Sequence, residues 1–146
     1  MNLMEYMDRD FELLRKRVHD VSNSYQQQNP GLTMERSSEM FEAFSRRFSI
    51  EDFLFSKFKP TPEMKPIIEK MLAKRRVVRE KLEDMLMLHV SEPDYMREIQ
   101  KLVKMAEEHL DFLTKEFHPN VIEKIDEDTA KNMSNALEDR LHRLPL

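Results

Sequence analysis

The sequence predicts an all-α protein: an up-down-up-down antiparallel four-helix bundle followed by a short C-terminal helix. The 146 residues include a single glycine, Gly31, whereas sheet proteins usually place several glycines in their tight turns. Charged residues make up 36% of the chain, and apolar residues recur among them at every third or fourth position, the spacing of amphipathic helices. The length is that of one domain, residues 1–146, large enough to bury a core.

The first two predicted helices are separated by a polar tract at residues 26–31. The first helix covers about residues 3–26 and ends before Pro30 and Gly31, residue types that interrupt helices. The second begins at about Thr33, a residue type that favours the N-cap, and ends before Pro60. The apolar stripes are Met4, Met7, Phe11, Leu14, Val18, Val21 and Tyr25 in the first helix, and Met40, Phe44, Phe48, Phe55 and Phe58 in the second.

Three further helical segments follow. The third helix runs from about residue 62 to His89, with Pro66 tolerated in its first turn. The fourth begins after residues 91–94 and ends at Pro119. A shorter segment at residues 126–144 either docks on the bundle or mediates self-association. The stripes are Ile67, Ile68, Met71, Val78, Leu82, Met85 and Leu86; then Ile99, Leu102, Met105, Ala106, Phe112, Leu113 and Phe117; then Met133, Leu137, Leu141 and Leu144. Amphipathic helices of this length with short links bury their stripes most simply as a bundle.

Composition excludes several classes of function. There is no cysteine, so disulfides and zinc–thiolate sites are excluded. No run approaches the ~20 apolar residues of a membrane span, and the first residues lack the pattern of a signal peptide, so we expect a cytoplasmic protein without a membrane partner. Net charge is −4 and the basic groups lie among acids, which argues against a nucleic-acid partner. Because one glycine cannot build a Gly-rich phosphate loop and no nucleophile motif is present, we expect no enzymatic activity.

Four polar residues interrupt the apolar stripes. Arg47 and Glu51 are four residues apart on the second helix and therefore neighbours; Arg75 lies on the apolar side of the third helix, and His109 on that of the fourth. Buried charges are normally paired or bound to metal, so these residues suggest one shared polar layer inside the bundle. The alternative is that the arginines reach water along their stems and that the histidine is an ordinary core residue.

The remaining histidines show no metal-ligand spacing with one another. They are expected at surface or loop positions. His118 follows His109 by nine residues, which is two and a half α-helical turns, so the two side chains are expected to face apart. These four residues are His19, His89, His118 and His142.

Four segments resemble a known family. Residues 47–55, Arg-Phe-Ser-Ile-Glu-Asp-Phe-Leu-Phe, resemble a second-helix His-Phe-x-x-Glu-Glu segment. Residues 108–113, followed by Phe-His-Pro at 117–119, resemble a fourth-helix Glu-His-x-x-x-Glu…Phe-Pro segment. Residues 73–79 resemble a third-helix Glu-His segment, and Asp10-Phe11 falls where a first helix carries Asp-His. The family is the hemerythrin-like (HHE cation-binding) family, and the resemblance covers about residues 5–125.

The resemblance implies a four-helix bundle that holds two irons through His and carboxylate side chains from all four helices. Only Glu51 and His109 keep a ligating side chain at the matched positions, and two ligands do not hold an iron pair. We therefore expect no cofactor, and a non-enzymatic interaction or regulatory domain whose partner is another protein. An Arg47–Glu51–Arg75 cluster near His109 would replace the metal centre, since guanidiniums supply positive charge and bind carboxylates well. The six matched positions are Phe11, Arg47, Glu51, Arg75, His109 and Leu113.

Two alternatives remain open at this point. In the first, iron or another divalent metal binds Glu51 and His109, with help from Asp10, Glu108 or Asp111, for metal or oxygen binding or sensing. In the second, the chain is a helical regulator that resembles the bacterial anti-sigma four-helix bundles, which only the Phe-Ser-Ile run at residues 48–50 suggests.

Overall fold

The computed structural model describes residues 2–89 and 91–143, with side chains described as far as residue 140. Within these ranges the protein is all-helical and contains no strand, which confirms the predicted all-α class. The five principal helices are α1 (Leu3–Gln26), α2 (Pro30–Phe55), α3 (Lys65–Leu86), α4 (Tyr95–Phe112) and α5 (Glu127–Arg143). Between α4 and α5 the chain forms a π-helical turn (Leu113–Phe117), a single α-helical turn (His118–Asn120) and a 3-10 turn (Ile122–Lys124).

The start of α2 differs from the prediction. The helix begins at Pro30, three residues before Thr33, because the missing N–H of proline is not needed at the first helical position. The N-cap is Asn29, whose side-chain oxygen accepts a hydrogen bond from the Leu32 N–H at 3.2 Å. Thr33 lies inside the helix, where its hydroxyl donates to the Asn29 carbonyl at 3.1 Å. Pro30 therefore opens α2 instead of lying in a linker.

Helix α4 ends at Phe112, before the predicted limit at Pro119, because the π-helical turn Leu113–Phe117 follows it, whereas the limits of α3 fall close to the predicted ones. Pro66 lies in the first turn of α3, as predicted. The helix ends at Leu86, three residues before His89. Phe58 lies beyond the end of α2, where its ring contacts Phe55 with centroids 5.8 Å apart, so it extends the apolar surface of α2 without being part of that helix.

The core is formed where the helices pack in pairs. α1 packs along α2 and α4, α3 packs along α4, and α5 contacts α1 and α2. Met133 and Leu137 are buried, so α5 docks on the other helices. The predicted stripe positions Leu141 and Leu144 lie outside the residues whose side chains are described. The buried apolar residues include Met7, Leu14, Val18, Val21, Met40, Phe44, Met71, Val78, Leu82, Ile99, Leu102 and Ala106. None of the described helices is both long and apolar enough to cross a membrane.

Candidate functional site

The candidate site is built around Arg47 and Glu51, two charged residues inside α2. Both side chains are completely buried, with 0% exposure, and the Arg47 Nε donates to the Glu51 Oε2 at 3.0 Å. The contact follows from helix geometry, because residues four apart lie one above the other on the same face. The polar interruption of the α2 stripe is therefore an ion pair in the interior of the protein.

Glu51 also binds a guanidinium from α3. The Arg75 Nη1 donates to the Glu51 Oε1 at 3.2 Å, so that each carboxylate oxygen accepts from a different arginine. The Arg75 Nη2 donates to the Asp52 Oδ1 at 2.6 Å, and the Asp52 side chain is 58% exposed. Glu51 thus joins α2 to α3, in the pairing with Arg47 and Arg75 that the sequence predicts.

Arg47 has two further partners, and both come from other parts of the chain. Its Nη1 donates to the Asp10 Oδ2 on α1 at 3.2 Å. Its Nη2 lies 2.8 Å from the His118 Nε2, in the segment between α4 and α5. We refer to Asp10, Arg47, Glu51, Arg75 and His118 as the ion-pair cluster. All three guanidinium nitrogens of Arg47 are thereby satisfied.

The charges of the ion-pair cluster offset one another. Two guanidiniums face the two largely buried carboxylates of Asp10 and Glu51, and the exposed carboxylate of Asp52 lies at the edge. An unpaired buried charge is strongly destabilising, whereas a paired and hydrogen-bonded one is tolerated. The guanidinium of Arg75 also lies over the ring of Phe48, 5.3 Å from its centroid. The cluster therefore ties α1, α2, α3 and the segment after α4 together.

The position of His118 contradicts the sequence-based expectation of a surface or loop site. His118 is buried, and its ring packs edge-on against Phe11, with centroids 5.5 Å apart. The related expectation that His118 faces away from His109 assumed an uninterrupted α-helix between the two residues. The π-helical turn Leu113–Phe117 lies between them. Because i→i+5 hydrogen bonding puts more residues into each turn, side chains beyond it are rotated away from the directions that α-helical counting gives.

His118 is held in its neutral form. A guanidinium can only donate hydrogen bonds, so the His118 Nε2 that faces Arg47 must carry a lone pair. Burial, together with the positive charge of Arg47, lowers the pKa of His118 to about 3. The histidine therefore serves as an uncharged acceptor for Arg47.

His109 lies on the inner face of α4, as the stripe predicts, and is buried. Neither of its ring nitrogens has a hydrogen-bond partner among the described residues. Burial is the main cause that lowers the pKa of His109 to about 4, and the positive charges of Arg47, Lys74 and Arg75 contribute the rest of the shift. His109 is therefore close enough to the ion-pair cluster for the cluster's arginines to lower its pKa, but it forms none of the cluster's hydrogen bonds.

The other matched positions are apolar neighbours of these groups. Phe11 is partly buried against His118, and Leu113 is fully buried one turn after His109. Of the residues proposed to help a residual metal site, Glu108 and Asp111 are exposed, and Asp10 is bound to Arg47. Across residues 2–89 and 91–140, no group of three or more His, Cys, Asp or Glu side chains is arranged to hold a metal ion.

The side chains outside the ion-pair cluster complete the comparison with the sequence. His19 and His89 are exposed, as predicted, and the side chain of His142 lies outside the described region.

Asp10 reaches a cavity of about 200 Å³ between α1, α2 and α5, which Arg9, Arg46 and Leu137 also line. Asp10 is thus the cluster member closest to solvent on that side.

Comparison with known proteins identified no relative of this chain. The chain was compared with protein-family models, with curated proteins and with solved structures, and no match was found in any of the three.

Proposed function

We propose that this chain is a hemerythrin-like domain without its metal centre: an up-down-up-down antiparallel four-helix bundle that acts as a non-enzymatic interaction or regulatory domain. One observation carries the proposal. Glu51 stands where the resemblance places a metal-ligating carboxylate, and both of its oxygens accept from arginines. Arg47 and Arg75 themselves stand where the resemblance places histidine ligands.

The arrangement of the matched positions supports this proposal. Glu51 contacts both arginines, Phe11 reaches Arg47 through His118, and His109 senses the charges of both arginines. Five of the six matched positions, which lie far apart in the sequence, therefore fall in one region of the interior. The packing of α1 on α2 and α4, and of α3 on α4, supplies three of the four neighbour pairs expected of four helices around a shared core. The fourth pair, α2 with α3, is linked by Arg75 and Glu51.

Electrostatics gives the replacement a physical reason. In a metal-binding bundle, cations neutralise the inward-facing carboxylates. Here the guanidiniums of Arg47 and Arg75 provide that positive charge covalently, so the carboxylates of Asp10 and Glu51 are neutralised without an ion. This frees folding from metal supply, and it leaves the outer surface of the helices as the part of the molecule that would meet a partner.

The first test is the metal content of the purified protein. We expect far less than one iron, manganese or zinc per chain after growth with added iron, because the Glu51 oxygens are already occupied. Elemental analysis measures this directly. About one or more metals per chain, lost in Glu51→Gln or His109→Leu, would overturn the proposal in favour of a metal-binding or metal-sensing role.

A variant with restored ligands tests the family assignment itself. It carries Phe11→His, Arg47→His, Arg75→His and Leu113→Glu, which together with Glu51 and His109 complete the matched ligand set. If the bundle is hemerythrin-like, the folded variant should take up about two irons per chain on anaerobic reconstitution, as di-iron bundles do. The unmodified protein treated in the same way is the control. A variant that stays helical and gains no iron would contradict the assignment.

A further inference from the structure

An open groove lies between α2 and α3. A cavity of about 300 Å³ is lined by Phe41 and Phe48 from α2 and by Leu82 and Leu86 from α3. A second cavity of about 120 Å³ continues it towards the end of α3 and shares Phe41 and Leu86. Arg75 joins the two helices through its contacts with Glu51 and Asp52. Phe48 and Leu82 form the buried floor of the groove, and Leu86 at its edge is exposed.

The α3 side of the groove carries a regular stripe. Its positions are separated alternately by four and three residues, the spacing of a coiled-coil seam. The stripe ends at Leu86, which is 69% exposed, and the adjacent Met87, just beyond the end of α3, is 84% exposed. Exposed apolar residues clustered next to a groove are typical of an interaction surface. The stripe consists of Leu72, Arg76, Arg79, Glu83 and Leu86.

The charged residues in the middle of the α3 stripe are free to bind a partner. Arg79 lies over the ring of Phe48, 5.2 Å from its centroid. Among the residues that the structure describes, no carboxylate pairs with Arg76 or Arg79, and no basic group pairs with Glu83. The stripe thus offers unpaired charges of both signs between apolar ends.

We propose that the α3 stripe is a homodimer interface, in which α3 of two copies pack antiparallel about a two-fold axis level with the midpoint between Arg79 and Glu83. In this arrangement Arg79 of each copy faces Glu83 of the other, and the contact occurs twice. Leu86 of each copy lies against the aliphatic stem of Arg76 of the other and beside its groove. A two-fold interface requires one patch to complement itself, and the order of charges along the α3 stripe meets that requirement.

Charge order selects this occupant and this direction. A parallel pairing would place Arg79 on Arg79 and Glu83 on Glu83, which like-charge repulsion disfavours. The antiparallel pairing places Arg79 opposite Glu83 in both directions and brings no like charges of the stripe together. This inference rests on the proposed interaction role and names one partner for it, a second copy of this chain. Metal content tests the metal-site replacement separately, so the failure of one proposal is distinguishable from the failure of the other.

Sedimentation velocity over a range of protein concentrations tests the proposal. Because the proposed contact uses one helix from each copy, we expect a weak dimer with a dissociation constant on the order of 10 µM. Arg79→Glu and Glu83→Arg each place like charges opposite one another, so each should weaken the dimer by about tenfold or more. The double swap Arg79→Glu/Glu83→Arg restores opposite charges and should return the dissociation constant to within about threefold of the original. The double swap also lacks the Arg79–Phe48 contact. Recovery of the dimer in this variant would therefore show that losing that contact is not what weakens association.

Two exposed apolar residues on different sides of α3 provide a test variant, at Leu86, and its matched control, at Val77. Leu86→Asp should abolish the dimer, while Val77→Asp should leave it unchanged, because Val77 is also exposed, at 53%, but lies on another side of the helix. Circular dichroism checks that each variant stays helical. A protein that is monomeric at all concentrations would overturn the proposal. So would a dimer that is indifferent to the charge swap.

Discussion

Replacing Glu51 by Gln should lower the free energy of unfolding by about 3–5 kcal/mol, the range seen when one partner of a buried ion pair is removed. The substitution keeps the shape of the side chain and removes its charge. Arg47 and Arg75 then remain buried with one fewer carboxylate between them. Asp10 still faces Arg47, and Asp52 still faces Arg75, so we expect a folded but much weakened protein. Urea unfolding at pH 7 measures the change.

Glu39→Gln is the matched control for this experiment. Glu39 also accepts from two arginines, Arg17 and Arg36, both at 3.1 Å, but its side chain is 31% exposed. Ion pairs in contact with solvent contribute about 1 kcal/mol or less. The Glu51 variant should therefore lose several times as much stability as the Glu39 variant. Equal losses would show that the ion-pair cluster does not hold the helices together in the way that we infer.

Acidification should destabilise the protein before the pH reaches 4.5. The pKa values of His109 and His118 are lowered to about 4 and about 3 in the folded state, against about 6.5 for an unfolded histidine. Between these values the unfolded chain binds protons that the folded chain does not, so unfolding becomes easier as the pH falls. The stabilisation is complete above about pH 6.5, and between pH 7 and pH 4.5 the two histidines together should account for a loss on the order of 4 kcal/mol.

Three histidine variants assign this pH dependence to its source. His109→Leu removes a ring whose nitrogens have no hydrogen-bond partner, and His118→Gln keeps an oxygen that can accept from Arg47. Each should flatten the profile of unfolding free energy against pH by about half. His19→Gln, at an exposed residue whose ring nitrogen is hydrogen-bonded to Asn23, should leave the profile unchanged. A profile that keeps its slope in both buried variants would contradict the assignment.

Local sequence determined the helical class and most helix limits. The spacing of apolar residues gave α1 its limits at residues 3–26, because burying one face of a helix requires that spacing. Proline chemistry located the first turn of α3 correctly at Pro66. The same reasoning gave the wrong result at Pro30. A proline can follow the end of one helix or begin the next, and here the side chain of Asn29 caps the helix that Pro30 begins.

The inward direction of Arg47, Glu51, Arg75 and His109 could also be predicted, since each interrupts an apolar stripe at a helical period. Their mutual contacts could only be hypothesised. Pairing Glu51 with Arg75 requires two helices to meet at a given depth, and helix periodicity fixes direction around an axis without fixing register between axes.

Only the tertiary structure decided the roles of His118, Asp10 and α5. The π-helical turn before His118 changes the direction in which the histidine side chain points. The spacing of apolar residues in the sequence does not indicate that turn. Asp10 is one acid among many in α1 until α2 brings the guanidinium of Arg47 within 3.2 Å. The sequence by itself thus determined which faces of the helices are buried, because hydrophobic burial follows local periodicity. Tertiary packing decided which charges meet there, because each ion pair joins residues whose separation only the assembled helices define.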